Sequence, residues 1–182
     1  MESSYKQLTD FLLSVGAEAV EHSNKSYLAH LIGVYRDMKD AGCSEELCRA
    51  GMFHSIYGSE LFQRFALPLE RRAEVRALIG ERAERLAYLN CVMDRATLDE
   101  SVARGSEPHR VVDRITGEEV VLSKNDFDDL CRIHLYDWQE QVPRSRLGWG
   151  YRREAYRRMA ERLGQGAMDA YDRAFATEPA PS

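Results

Sequence analysis

Two helix-patterned segments, each carrying one histidine, are separated in this chain by only Gly42 and Cys43. In the first, about 26–41, Tyr27, Leu31, Val34, Tyr35 and Met38 recur at helical spacing, and His30 sits beside that stripe. Gly42 is expected to stop this helix in the left-handed conformation. Ser44 is expected to cap the second, with Glu45 and Glu46 in the first turn, where acidic groups suit the helix dipole. That second segment contains LCRAGMFHSIY, runs to about Tyr57 and ends at Gly58. It is apolar nearly all round, as a central, buried helix would be, with His54 at its C-terminal end. A two-residue link folds such a pair into an antiparallel hairpin. The start of one helix then lies beside the end of the other, so His30 and His54 are expected to meet.

The rest of the chain reads as mostly helical. Tyr5, Leu8, Phe11, Leu12 and Val15 make a short amphipathic helix over 3–15, and Gly16 to Lys25 reads as a turn or broken helix. Glu60 to Phe65 looks like a short helical turn closed by Leu67-Pro68. Residues 69–79 and 81–95 read as two helices, or one interrupted at Gly80, and the polar stretch 97–109, with Gly105 and Pro108, as mostly loop. The period changes in VVDRITGEEVVL (111–122), which predicts a β-hairpin around Thr116-Gly117. Ser123 and Asp126 open a further helix to about Val142 in capping-box fashion. Pro143 and LGWG (147–150) break the chain, and two final helices follow at about 151–163 and 166–176. The expected fold is therefore mainly α, a helical bundle with one small β-hairpin. It is read as one domain over 1–176, with a C-terminal helical extension at 151–176 and a frayed tail at 177–182.

Composition narrows the function. The net charge of -5 argues against nucleic-acid binding through bulk charge, because phosphate neutralisation needs a basic surface. Apolar runs are short and interrupted by charge, so no membrane span is expected. MESSYKQLTD lacks a basic segment followed by an apolar one, so no secretory leader is expected. Cys43, Cys48, Cys91 and Cys131 form no C-x-x-C and are read as reduced core thiols of a cytoplasmic protein. Dinucleotide, P-loop, serine-hydrolase and zincin motifs do not occur.

Paired imidazoles suit zinc, iron, nickel or manganese when a carboxylate completes the shell. The helix at 123–142 offers one. Phe127, Leu130, His134, Trp138 and Gln141 share a face, and Asp137 falls with Leu130 and His134. An acid on a buried stripe is costly unless paired or metal-bound, which makes Asp137 the candidate third ligand; the alternative is a surface acid flanking the stripe. His134 is a candidate pocket residue or simply packed. His22, eight residues before His30, is a candidate fourth ligand or pocket residue, or a surface histidine. Tyr57 and Glu60 flank the HSIYG turn and are candidates for proton transfer, with Ser55 as a pocket residue; Tyr57 can equally be core and Glu60 a helix-end charge. Asp94 and Arg95 read as an ion pair. The arginine-rich YRREAYRRMAER (151–162) reads as an exposed helix face paired with its own acids, the alternative being a nucleic-acid or phosphate contact.

The stretch HLIGVYRDMKDAGCSEELCRAGMFHSIYGSE resembles the HD superfamily of metal-dependent hydrolases, with a His-bearing helix, a short turn, and an apolar helix ending in His-Asp. It is especially similar to the hydrolase half of RelA/SpoT-type alarmone enzymes, where that helix ends in His-Asp-x-x-Glu-Asp. VRALIGERAERLAYL and DLCRIHLYDWQEQV resemble those enzymes' Phe-Gly-containing helix pair and the helix that brings the final Asp. More closely, the chain looks like a group of small proteins with His-Ser-Ile-Tyr-Gly in place of His-Asp. The resemblance spans about 22–142 and implies an HD-like bundle with its core there, and with His30, His54 and Asp137 on a divalent metal. It also has departures. Ser55 stands in place of the HD Asp, Gly58 and Ser59 replace the water-activating Glu-Asp pair, and His22 falls roughly where a nucleotide-contacting Arg is expected. Glu60, one residue further on, can substitute as a base, and His22 can restore a four-ligand shell suited to iron, manganese or zinc. Ordinary alarmone hydrolysis is not expected. The expected function is a small-molecule enzyme with an altered HD-type metal site, hydrolytic or oxidative. The alternative is a degenerate, non-catalytic HD-like module that binds a ligand or partner, and a homodimer is compatible with either.

Overall fold

A computed structural model describes residues 3–22 and 24–180 of the chain. Side-chain caps set where several helices begin. Ser4, Ser26, Ser44, Asp94 and Ser123 accept hydrogen bonds from backbone N–H groups in the first turns of α1 (Tyr5–Ser14), α2 (Tyr27–Asp40), α3 (Glu45–Met52), α6 (Arg95–Arg104) and α7 (Lys124–Gln141). Between these lie α4 (Arg72–Ile79) and α5 (Glu81–Val92), separated at Gly80. The chain closes with α8 (Arg153–Leu163) and α9 (Gln165–Phe175). The fold is mainly helical, as its periodicity predicts. Among the described residues, no helix is long and apolar enough to cross a membrane.

Helix α7 is the axis of the core. It carries Phe127 and Trp138, the latter the largest fully buried side chain among the described residues, and it packs against α2, α3, α5 and α8. Helices α2 and α3 form the expected hairpin. Gly51 permits their close approach, since a Cβ there would run into Met38 Sδ. The predicted hairpin is present as β3 (His109–Val112) and β4 (Glu119–Leu122), antiparallel, with His109 opposite Leu122 and Val112 opposite Glu119. A second, smaller ladder lies in the stretch read as a turn or broken helix. Here β1 (Glu21–His22) pairs with β2 (Lys25–Ser26), His22 facing Lys25.

Several boundaries differ from expectation, each for a local reason. Helix α3 stops at Met52 rather than near Tyr57. The His54 carbonyl accepts from Asn90 Nδ2 and Cys91 Sγ of α5, at 2.9 and 3.2 Å, so 53–57 becomes a turn docked on that helix. Residues 60–65 are not helical; the Ser59 hydroxyl and amide instead close a turn onto Phe62. The largest miss is α6, in a stretch read as loop. Asp94 caps it, left-handed Gly105 ends it, and it buries only Leu98, Ser101 and Val102, which leaves a weak apolar signal. Asp94 therefore caps a helix instead of pairing with Arg95, whose nearest carboxylate is Glu60.

The cysteines are free thiols, with Cys48, Cys91 and Cys131 buried and Cys43 half-buried. In α8, Arg157–Glu161 and Arg158–Glu154 pair along the exposed face as expected, but Arg162, and Arg152 just before the helix, turn inward to Asp128 and Asp99. Of the tail read as frayed, Glu178 pairs with Arg153 and its amide bonds to Phe175, while 181–182 lie outside the described residues.

Candidate metal centre and its cavity

Three elements deliver three ligand atoms to one point. His30 comes from the first turn of α2, His54 from the turn after α3, and Asp137 from the last third of α7. His30 Nε2 lies 3.3 Å from His54 Nε2 and 3.1 Å from Asp137 Oδ1, and His54 Nε2 lies 3.2 Å from the same oxygen. All three residues are buried, and together they form a group able to hold a metal ion.

The far nitrogens explain the arrangement. His54 Nδ1 donates to the Gly51 carbonyl at 2.8 Å, and His30 Nδ1 donates to Glu140 Oε2 at 2.5 Å. With both Nδ1 protons so placed, both Nε2 lone pairs point at the Asp137 carboxylate. Three acceptors within hydrogen-bond distance require a positive charge between them, either a proton or a metal ion. Ligands held about 2.0–2.2 Å from a metal at tetrahedral or octahedral angles are about 3–3.5 Å apart. The observed 3.1–3.3 Å separations fit that spacing. Each imidazole also has the outer hydrogen bond that metal-bound histidines make.

Glu140 was not anticipated from sequence. Its side chain is 6% exposed, and it gathers Lys25, Arg144 and His30. Gly33 makes room for it: a Cβ there would lie 2.8 Å from Oε1. Burial alone would raise the Glu140 pKa, but the bond to His30 and the Lys25 cation lower it. Burial likewise opposes ionisation of Asp137, yet the two histidines hold its carboxyl well below the usual range. For His30, burial pulls the pKa down, and bonds to Asp137 and Glu140 outweigh that and raise it.

The other candidates fall in different places. His22 is not in the ligand trio. Its ring stacks on His30 at 4.2 Å between centroids, and its pKa is drawn down to about 4 by burial and by His30. Ser55 lines the cavity and shares a 3.0 Å hydrogen bond with Tyr27. Tyr57 points away, its hydroxyl donating to Glu84 at 2.9 Å, because the 53–57 turn aims it at α5. Glu60 lies outside the cavity and accepts from the Arg95 amide. His134 sits behind the wall, where Nε2 accepts from Arg152 at 2.8 Å; burial and that cation keep its pKa far below the ordinary value.

The trio opens on a cavity of about 230 Å³ whose lining includes His22, His54, Ser55, Asp137, Phe62 and Trp138. Arg64, Arg95, Arg144 and Arg146 also reach it, Arg64 from the turn after His54, Arg95 from the start of α6, and Arg144 and Arg146 from the break after α7. Residues 11–95 match a family described as a domain of unknown function, DUF6817. That stretch contains His30 and His54 but ends before Asp137. No curated protein and no solved structure matches the chain.

Proposed function

We propose that this chain is a metal-dependent enzyme acting on a small molecule, built on an HD-like helical scaffold, with His30, His54 and Asp137 as ligands of divalent iron, manganese or zinc. The observation that carries this reading is the convergence of three acceptor atoms, with both imidazoles oriented from behind by Glu140 and Gly51. Two imidazoles and one carboxylate are a donor set for these metals. Three protein ligands rather than four leave a position for substrate or water, as in catalytic rather than structural sites. A bound divalent ion supplies Lewis acidity, polarising a substrate oxygen or acidifying a water. The protein holds the set in place: Gln141 donates to Asp137 Oδ1 at 2.8 Å, and Asn90 and Cys91 fix the turn bearing His54. Trp138 and Phe62 give the cavity aromatic lining. Ser55 brings no charge where HD hydrolases carry a second acid, while the Tyr57 hydroxyl donates to Glu84 and Glu60 accepts from the Arg95 amide, so the donor set suits a single ion.

Metal analysis of the purified protein tests this. About one divalent ion per chain is expected, and it should be lost in His30→Ala, His54→Ala and Asp137→Ala variants that keep the parent circular-dichroism spectrum. A parent protein that stays folded and metal-free after growth and dialysis with iron, manganese and zinc would overturn the proposal. It would favour the degenerate, non-catalytic module.

A further inference from the structure

We infer that the cavity over the His/His/Asp trio binds a compact organic anion, its carboxylate or phosphate group taken by Arg95 and Arg146 and its apolar body laid against Phe62 and Trp138. This rests on the preceding reading for the trio as the reacting centre and deepens it by naming a substrate class.

The charge balance of the lining is opposite to that of the chain. The protein carries a net charge of -5, yet four arginines line the cavity against two carboxylates, Glu21 and Asp137. Asp137 is already engaged by both histidines, and the exposed Glu21 lies 3.9 Å from Arg64. Arg144 reaches both Glu140 oxygens at 2.9 Å. The remaining two are differently placed. The Arg95 side chain is only 13% exposed, and among the described residues its guanidinium makes no hydrogen bond; its nearest carboxylate, on Glu60, is 3.9 Å away. Arg146 is exposed at the rim and has no ion pair among the described residues. A guanidinium withdrawn from water keeps its planar fork of donors, which matches carboxylate and phosphate oxygens. The half-buried fork of Arg95 and the exposed fork of Arg146 at the rim together focus an attractive field for anions on this concave wall.

The apolar side is as specific. Phe62 and Trp138 line the wall, and Leu61 and Leu147 stand at the mouth with 54% and 52% of their surface open to solvent. Exposed leucines beside arginines suit a ligand with a charged end and a hydrophobic body. A cavity of about 230 Å³ restricts that body to something compact.

Benzoate, phenyl phosphate and neutral benzyl alcohol are titrated against the full chain, both chelator-treated and zinc-loaded, with tryptophan fluorescence as the readout. At least one of the two anions should bind and benzyl alcohol should not, with affinity falling as salt rises. Tighter binding of benzoate assigns a carboxylate; tighter binding of phenyl phosphate assigns a phosphate ester. Arg95→Met and Arg146→Met should each weaken binding by about tenfold, the loss of one charge-assisted contact. Arg157→Met, which removes the same charge from the exposed face of α8, should not. If Arg95→Met fails to fold, the exposed Arg146 still decides the question. Affinity equal to the parent in the arginine variants, or no binding of either anion, overturns the inference. Arginine-dependent binding that survives in His54→Ala and in chelator-treated protein would sustain the anion site even if the metal reading fell. Stoichiometric metal without arginine-dependent binding would do the reverse.

Discussion

Glu140 does for His30 what the Gly51 carbonyl does for His54: it takes the Nδ1 proton and aims Nε2 at the centre. The two partners are not equivalent, because a carboxylate raises the basicity of its imidazole more than a neutral carbonyl does. Glu140→Gln keeps a hydrogen-bond acceptor and removes the charge. Metal affinity, measured by chelator competition on folded protein, should fall by about 10–100-fold. Gly33→Ala should act in the same direction, since a Cβ would lie 2.8 Å from Glu140 Oε1 and push the carboxylate off His30. Unchanged affinity in both would mean that Glu140 only balances Lys25 and Arg144. The signal for Glu140 was present in the sequence: it follows Asp137 by three residues and so shares its helix face, just as Gly33 shares that of His30. Tyr57 and Glu60 are the converse case. Nearness to His54 in sequence suggested nearness to the site, but a turn separates them from it, sending one hydroxyl to Glu84 and one carboxylate to the Arg95 amide.

At the scale of elements, the hairpin of α2 and α3 was legible because its determinants are local: a two-residue link, Ser44 as cap and a glycine stop. Its tightness depends on a contact the pattern does not reveal, Gly51 against Met38. Gly51→Ala should destabilise the protein by about 1–3 kcal/mol, the usual cost of overpacking. Urea unfolding reads this directly, and no loss would mean that the two helices can part without penalty. Helix α6 was hidden because only Leu98 and Val102 mark its apolar side, whereas its start depends on Asp94, which accepts from the amides of Ala96 and Thr97. Asp94→Ala should cost about 1 kcal/mol and unfasten the first turn. Faster amide hydrogen exchange confined to residues 96–98 would register it, and unchanged exchange would show that packing alone holds the turn. Because Arg95 is the first residue of α6, the missed helix also concealed a cavity wall.

Across the whole molecule, ion pairs between residues distant in sequence tie the outer helices to α7, and sequence patterning could not foresee which charges would meet. Arg82 and Arg85 of α5 reach Asp126, and Arg162 of α8 reaches Asp128, which also pairs with Lys124. Burial would raise both carboxyl pKa values, but hydrogen bonds from these cations outweigh it and hold both below the ordinary aspartate value. A carboxyl whose folded pKa lies below its unfolded value of about 3.9 releases its proton more readily when folded. Its stabilisation is therefore complete above the unfolded value and is lost as pH falls through the folded one. A variant carrying Asp126→Asn and Asp128→Asn should unfold at a lower temperature than the parent at neutral pH. Below about pH 4 the two melting curves should draw together, because the parent then protonates the groups the variant lacks. A gap that stays constant from neutral pH into acid would show that these pairs contribute packing rather than charge.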